Sequence, residues 1–314
     1  MNQSESKLQH QPVLLDKVLE YLDIQDNDVV LDCTLGLGGH ASNILKKLGF
    51  GGKLIGFDLD NRNMQEARKR LKKYEGKVLY VNDSYDQIEH YLKVLKFGPY
   101  NKVLMDLGVS SPHFDVAEYG FSFQKNGPLD MRFNKDNKVN AGLILNKLPE
   151  EKLAEIFFNF GEISNAKKLA ATIVAKRLDG PFVYTHDFVE RIEKECVPFK
   201  ERNRYLSCVF QALRIAVNDE LNVLTKGLKK LYSNLSRNGI IAVISYHSLE
   251  DRIVKNFIND LMRPVETSPE KALKSLHAEP KVEMLHKKII VPSKEESENN
   301  PRARSAKLRV FKKL

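Results

Sequence analysis

Apolar positions in the first third of the chain follow two alternating rhythms. Residues 13–22 repeat apolar side chains at helical spacing. Short apolar runs come next, near residues 29–32, 53–58, 77–82 and 102–106, and their length and flanking turn residues predict buried strands. Helical patterns lie between them, near 40–48, 61–73 and 86–96. Such alternation implies βαβ crossovers and a parallel sheet covered by helices. After Asp106 the rhythm stops. Residues 108–140 are rich in Gly, Ser, Pro, Asn and Asp and predict a long loop, of a length that usually serves function. Residues 141–205 are mostly helical in pattern, with Phe182-Val-Tyr184 the one strand-like run. Asn203 to Arg237 predicts one or two helices, Gly239 to Tyr246 a buried strand, and His247-Ser-Leu-Glu-Asp251 a capped helix start. The segment 263–283 is loop-like. Residues 284–291 and 306–313 predict final strands, a hairpin at the sheet edge, joined by the polar stretch Ser293 to Arg304. The expected class is α/β. A sheet domain of residues 1–114 and 206–314 is interrupted by an inserted helical domain of residues 115–205.

The strand ends carry the candidate chemistry. Val29-Val-Leu-Asp32 runs into a turn with Gly36, Gly38 and Gly39, and a helix opens near His40. Glycine has no Cβ, so a backbone built this way can approach a nucleotide-like ligand closely. Gly36-x-Gly38-x-x-Ala41 also fits a relaxed dinucleotide fingerprint. However, Asp32 places a carboxylate where a pyrophosphate would add negative charge. A cationic ligand fits better, such as S-adenosylmethionine, a sulfonium with an adenosine and no phosphates. A plain turn with no ligand is the structural alternative. Asp58 ends the second strand about twenty residues past the loop, the spacing of a carboxylate that holds ribose hydroxyls. It can equally cap the helix from Asn61, as can Asp60. Tyr85, past the third strand, suits either the face of an adenine or the core. Asp106 ends the fourth strand and opens Asp106-Leu-Gly-Val-Ser-Ser-Pro112. Ligands of open α/β sheets bind beyond the carboxyl ends of the strands, which puts Asp32, Asp58, Tyr85 and Asp106 on one rim.

Composition narrows the class of partner. The 314 residues carry a net charge of +9, which suits a polyanion such as nucleic acid, or else a solvated lysine-rich surface. Cys33, Cys196 and Cys208 form no CxxC pair and read as reduced thiols, with neither disulfide nor metal framework. Met1 to Gln11 is polar without an apolar signal core, and no apolar stretch is long enough for a bilayer, so a cytoplasmic protein is expected. In the long loop, Phe121 and Phe123 flank a serine, and Arg132 follows Asp130. Exposed rings beside a cation suit stacking on unpaired bases. Rings that pin the loop to a core are the alternative, with Arg132 either on RNA phosphate or clamped to Asp130. Gln211, Arg214 and Asn218 on one helical run, and the basic segment Asn300 to Arg309, can meet phosphate or be paired internally.

With these residues in place, the chain resembles the MraW (RsmH) family of S-adenosylmethionine-dependent rRNA cytosine-N4 methyltransferases. The resemblance starts at His10-Gln-Pro-Val-Leu-Leu15 and includes Thr34-Leu-Gly-Leu-Gly-Gly-His40, Asp106-Leu-Gly-Val-Ser-Ser-Pro112, Gly120-Phe-Ser-Phe123 and Pro128-Leu-Asp-Met-Arg132. It continues through Phe210-Gln-Ala-Leu-Arg-Ile215, His247-Ser-Leu-Glu-Asp-Arg252 and Pro301 to Arg309. It implies a Rossmann-like class I methyltransferase sheet with an inserted helical substrate domain. It implies cofactor contacts at Gly38, Gly39, His40, Asp58, Tyr85, Asp106 and His113, beside Gly36. It also implies methylation of a cytidine of 16S rRNA, position 1402 at the decoding centre, within the small ribosomal subunit. The family commonly has Gln at His113, Phe at Tyr85, Arg at Tyr119 and Met at Phe133. The usual amino-methyltransferase pattern, an acid or Ser/Asn before Pro-Pro-aromatic, is absent. Ser110-Ser111-Pro112 stands in its place beside Asp106, so Asp106, Ser110 and Ser111 are the candidate catalytic groups. Phe121, Phe123, Arg132 and Arg214 are the candidate RNA contacts. Two rivals remain: an NAD-linked dehydrogenase, and a non-catalytic RNA-binding assembly factor that retains the fold. The sequence leaves the oligomeric state open, a homodimer included.

Overall fold

The structure, a computed structural model, describes residues 12–263 and 279–314. The polar segment Met1 to Gln11, the first two residues of the His10 motif and most of the expected loop 263–283 lie outside the described residues. Seven strands form one sheet: β1 Val29–Asp32, β2 Lys53–Phe57, β3 Val78–Val81, β4 Tyr100–Asp106, β5 Leu235–Ser245, β6 Val282–Met284 and β7 Lys307–Lys313. Their order is β3-β2-β1-β4-β5-β7-β6. Strands β1 to β5 are parallel, β7 runs antiparallel to β5, and β6 pairs antiparallel with β7. This is a Rossmann-like sheet with an antiparallel pair at one edge. Its order reverses between β1 and β4, and that switch point is where such sheets open a crevice for ligand.

Side chains alternate across the sheet, and both faces are buried. Val30, Leu54, Leu104, Ala242 and Ile244 join one core with Val18, Leu22, Ile44 and Leu45. Leu31, Ile55, Val103, Met105, Ile241 and Val243 join the other, with Ile88, Leu228 and Val254. A period of two with both faces covered explains why these strands read as unbroken apolar runs. The helices on the first face are α1 Leu15–Leu22, α2 Gly39–Lys47 and α3 Asn61–Arg70; α4 Ile88–Leu95 supplies Ile88 to the second.

The chain divides into two compact units, residues 1–108 with 223–314 and residues 109–222. The expected boundaries stood at 114/115 and 205/206. The difference lies in the helix Arg202–Asn218, whose Leu206, Val209 and Leu213 are fully buried in the second unit's own core with Leu145, Phe157, Leu169 and Phe188. His113 is buried in that unit as well, against Phe121. The strand-like Phe182-Val-Tyr184 makes only an isolated bridge, Tyr184 to Pro128. Phe182 is instead a core anchor, edge-on to Phe188 at 5.4 Å. The expected loop 108–140 contains the short helix Ser111–Asp115. Of the expected strand 284–291 only Met284 falls in β6, and Ile290 makes an isolated bridge to Leu308. Among the described residues no helix is long and apolar enough to cross a membrane.

A carboxylate rim at the carboxyl ends of the strands

The glycine loop is fastened on both sides by backbone bonds. Cys33 N–H donates to the Leu104 carbonyl at 2.9 Å, and Leu35 N–H donates to that of Phe57 at 2.8 Å. Gly36 and Gly38 adopt φ of +52° and +74°, in the left-handed region that glycine reaches without strain. Gly39 is required for another reason: a Cβ there would stand 2.9 Å from the Pro12 ring.

Asp58 closes this loop. Its Oδ2 accepts the Gly36 N–H at 2.7 Å, and its Oδ1 accepts the Asp60 N–H at 2.7 Å. The helix cap left open by the sequence falls to Asp60, which accepts the Arg62 N–H at 2.9 Å. Asp58 therefore belongs to the loop. Its carboxylate has lone pairs for further donors beyond these two. Burial pushes the Asp58 carboxyl up to about 7. Burial does the same to Asp32, also raised to about 7, with Asp106 and Asp58 adding repulsion. Asp106 is raised by burial too, opposed by His40 and by the hydrogen bond from Tyr246.

Asp106 is held at three points. Its own N–H donates to Thr34 Oγ1 at 2.7 Å. The Tyr246 hydroxyl donates to its Oδ1 at 2.7 Å. His40 Nδ1 lies 3.5 Å from its Oδ2. The third contact depends on how the His40 ring is turned. His40 Nε2 is 3.0 Å from the Val13 carbonyl, which can only accept, so Nε2 carries hydrogen. A neutral imidazole would then turn the Nδ1 lone pair toward a carboxylate oxygen. His40, expected as a cofactor contact, thus backs Asp106. Tyr246 escaped the sequence reading, although it directly follows β5, the neighbour of β4. Extending the strand-end rule by one strand would have found it.

Tyr85 is half-buried in a tight turn, with its ring laid on Gly227 of the helix Glu220–Asn234. A Cβ at Gly227 would meet the ring at 2.3 Å, so this helix yields its side chain to seat the aromatic.

In the second unit, the expected RNA contacts are differently placed. Phe121 is not an exposed platform. It is 4% exposed, stacked on Phe133 at 5.5 Å and 15°, with the His113 ring at 4.8 Å. Phe123 is half-buried and edge-on to Phe210. Arg132 takes the clamp alternative: its Nε donates to Asp130 Oδ1 at 2.7 Å, and its Nη1 to the carbonyls of Lys135 and Asn137. Against the opposing effect of burial, bonds from Arg132 and Lys135 hold the Asp130 carboxyl at about 2. Arg214 is paired with Glu220 through two bonds of 2.8 and 3.0 Å. Asn218 pins the loop by accepting the Phe133 N–H and donating to the Met131 carbonyl. His113 Nδ1 accepts the Ser110 N–H at 3.0 Å, which engages Ser110 in a helix cap just before Ser111. Some of these partners are distant in the chain, such as Phe210 and Asn218, while Arg132, Arg214 and Ser110 are engaged by near neighbours.

On the sheet unit, Asp32, Asp58 and Asp106 stand at the ends of neighbouring parallel strands, and acids so placed suit a ligand that brings positive charge and hydroxyl donors. The donor set therefore fits a sulfonium nucleoside better than a dinucleotide.

Comparison with known proteins gives the same class. The MraW methylase family matches residues 7–314. Ribosomal RNA small subunit methyltransferase H of Clostridium botulinum (strain Loch Maree / Type A3) is 42% identical over 310 residues, spanning 98% of this chain and 100% of that protein. The protein of the same name from Dictyoglomus thermophilum is 44% identical over 305 residues, 96% of this chain and 95% of its own length. A solved rRNA methylase from Streptococcus thermophilus aligns over 96% of this chain and 93% of its own, at 12% identity and a TM-score of 0.42. A match over nearly the whole chain, with close relatives of equal length, shows that this protein belongs to the MraW methylase family.

Proposed function

We propose that the protein transfers a methyl group from S-adenosylmethionine to the N4 amine of a cytidine in small-subunit rRNA, at position 1402. The observation that carries this reading is the rim of Asp32, Asp58 and Asp106, whose acids suit a cationic, phosphate-free nucleoside. The family and the names of its relatives supply the RNA. S-adenosylmethionine, when bound, supplies an electrophilic methyl group. Asp58 would accept the ribose hydroxyls, Tyr85 would offer a ring to the adenine, and the glycine loop would let its own backbone approach the nucleoside. The attacking amine is a poor nucleophile, because its lone pair is delocalised into the base. It needs orientation and an acceptor for its N–H groups as positive charge develops. Asp106 is that acceptor, with Tyr246, Thr34 and His40 as positioning residues behind it. Ser110 and Ser111 follow it closely in the chain and are further candidates for the amine. Action on rRNA implies a cytoplasmic protein.

The direct test is mass mapping of small-subunit rRNA after incubation with the protein and the donor. A single methyl group on one cytidine amine is expected. Methylation of carbon, ribose or another base would sink the N4 assignment.

The cofactor site should also respond to pH. In the unfolded chain Asp32 and Asp58 ionise near their usual value of about 4. In the folded chain they hold protons to about 7. Between these values the folded form binds more protons, so stability without ligand falls as pH rises through the window. Hydroxyl donors favour the ionised carboxylate, so donor affinity should rise from about pH 6 to about pH 8. Calorimetry across this range should show the rise in the parent and a weaker one in Asp58→Asn. A flat parent profile would remove Asp58 from the ribose.

A further inference from the structure

The proposed RNA chemistry leaves open which surface holds the RNA. Charge answers against the obvious choice. The second unit carries sixteen basic and sixteen acidic side chains, so the whole net charge of +9 resides on the sheet unit. Within it, residues 61–81 hold seven basic and two acidic groups, and residues 223–249 hold four basic groups and no acid. A third basic segment, 279–314, is partly neutralised: Arg309 pairs with Asp251, and Lys312 with Glu283.

Both of the first two segments are tied to the cofactor rim. Arg70 Nη1 donates to the Leu37 carbonyl, inside the glycine loop, at 3.2 Å. On the other side, Gly227 seats the Tyr85 ring, and Lys230 Nζ donates to the Asp86 carbonyl at 2.7 Å. Lys72, Lys73, Lys226 and Lys229 project from these segments as exposed side chains. Lys73 lies over the Tyr74 ring at 5.0 Å, and Arg68 over Tyr80 at 4.2 Å. Cations laid on rings offer a surface that meets phosphate and base face alike.

We propose that these two cationic segments, one against the glycine loop and one against the Tyr85 turn, form the track that holds the RNA backbone across the mouth of the cofactor site. The sheet unit would then grip its polyanionic substrate itself, with no net electrostatic pull from the inserted unit. This rests on the proposed action on RNA.

The test measures binding of a small-subunit rRNA transcript to the full chain over a salt series. The paired variants are Lys72→Glu/Lys73→Glu and Lys226→Glu/Lys229→Glu, with Lys167→Glu/Lys168→Glu on the second unit as the matched charge change. Donor affinity by calorimetry reports folding of each. The first two pairs should weaken RNA binding about tenfold or more near 0.15 M salt, and flatten the log–log salt plot by about 0.7 for each phosphate no longer neutralised. The Lys167/Lys168 pair should bind as the parent. Weakening confined to that pair would overturn the track and give the RNA to the inserted unit. Equal weakening in all three would also overturn it, as a mere effect of total charge. A parent chain that binds donor but no RNA would fail earlier, and would take the proposed function with it.

Discussion

Asp106→Asn is expected to cut turnover at saturating donor and RNA by about 100-fold or more, the scale on which one aligned charge-stabilising group acts in a preorganised site. The substitution is unusually clean here. An amide oxygen at the Oδ1 position still accepts the Tyr246 hydroxyl, which now stands at 2.7 Å. An amide N–H at the Oδ2 position faces His40 Nδ1, which stands 3.5 Å from that site, and His40 Nε2 still reaches the Val13 carbonyl. The hydrogen bonds at Tyr246 and Val13 survive while the carboxylate charge is removed. Thermal stability should therefore stay close to that of the parent while single-turnover methyl transfer collapses. Parent-like transfer rates in a folded Asp106→Asn protein would show that the carboxylate has no part in the chemistry.

Phe121→Ala should have the largest effect on stability. Truncating a fully packed phenylalanine costs about 3–5 kcal/mol, from lost burial and the cavity left behind. The variant gives up the stack on Phe133 and the packing against His113. Denaturant unfolding should show this drop. If Phe121 were instead a stacking platform for a base, the variant would keep its stability and lose only RNA affinity. That result would restore the role expected from the loop's composition.

The rim was legible in the sequence because its positions follow from where apolar runs stop. Asp32, Asp58 and Asp106 each terminate a strand, and parallel order then brings them to one end of the sheet. The glycine loop was legible too, although Gly39 answers to Pro12 packing as well as to ligand approach. The aromatic loop was not legible. Phe121 and Phe123 sit among polar residues, where local pattern leaves exposed rings and rings pinned to a core equally open. Their burial depends on Phe133 and Phe210, the latter on a helix many residues away. Arg132 and Arg214 were ambiguous for the same reason, since an arginine's partner rather than its position decides its role. The inserted unit's boundary was missed because Arg202–Asn218 is amphipathic and would suit either core. His40 shows a finer limit: the family resemblance implied a ligand contact, but only the fold brings its ring between the Val13 carbonyl and Asp106.

The interleaved sheet also has a consequence for synthesis on the ribosome. Strand β7 comes after every other strand in chain order, yet lies between β5 and β6 and is their bridge. Residues 109–222 are continuous and enclose a core of their own, so they can condense as soon as they emerge. The sheet unit is split around them and stays open along β5 until residues 307–313 arrive. A nascent chain therefore holds its first strands, with their apolar edges, in waiting while the inserted unit folds. A stalled or shortened product would expose β5 as an unpaired edge, the kind of surface that chaperones bind and aggregates grow from.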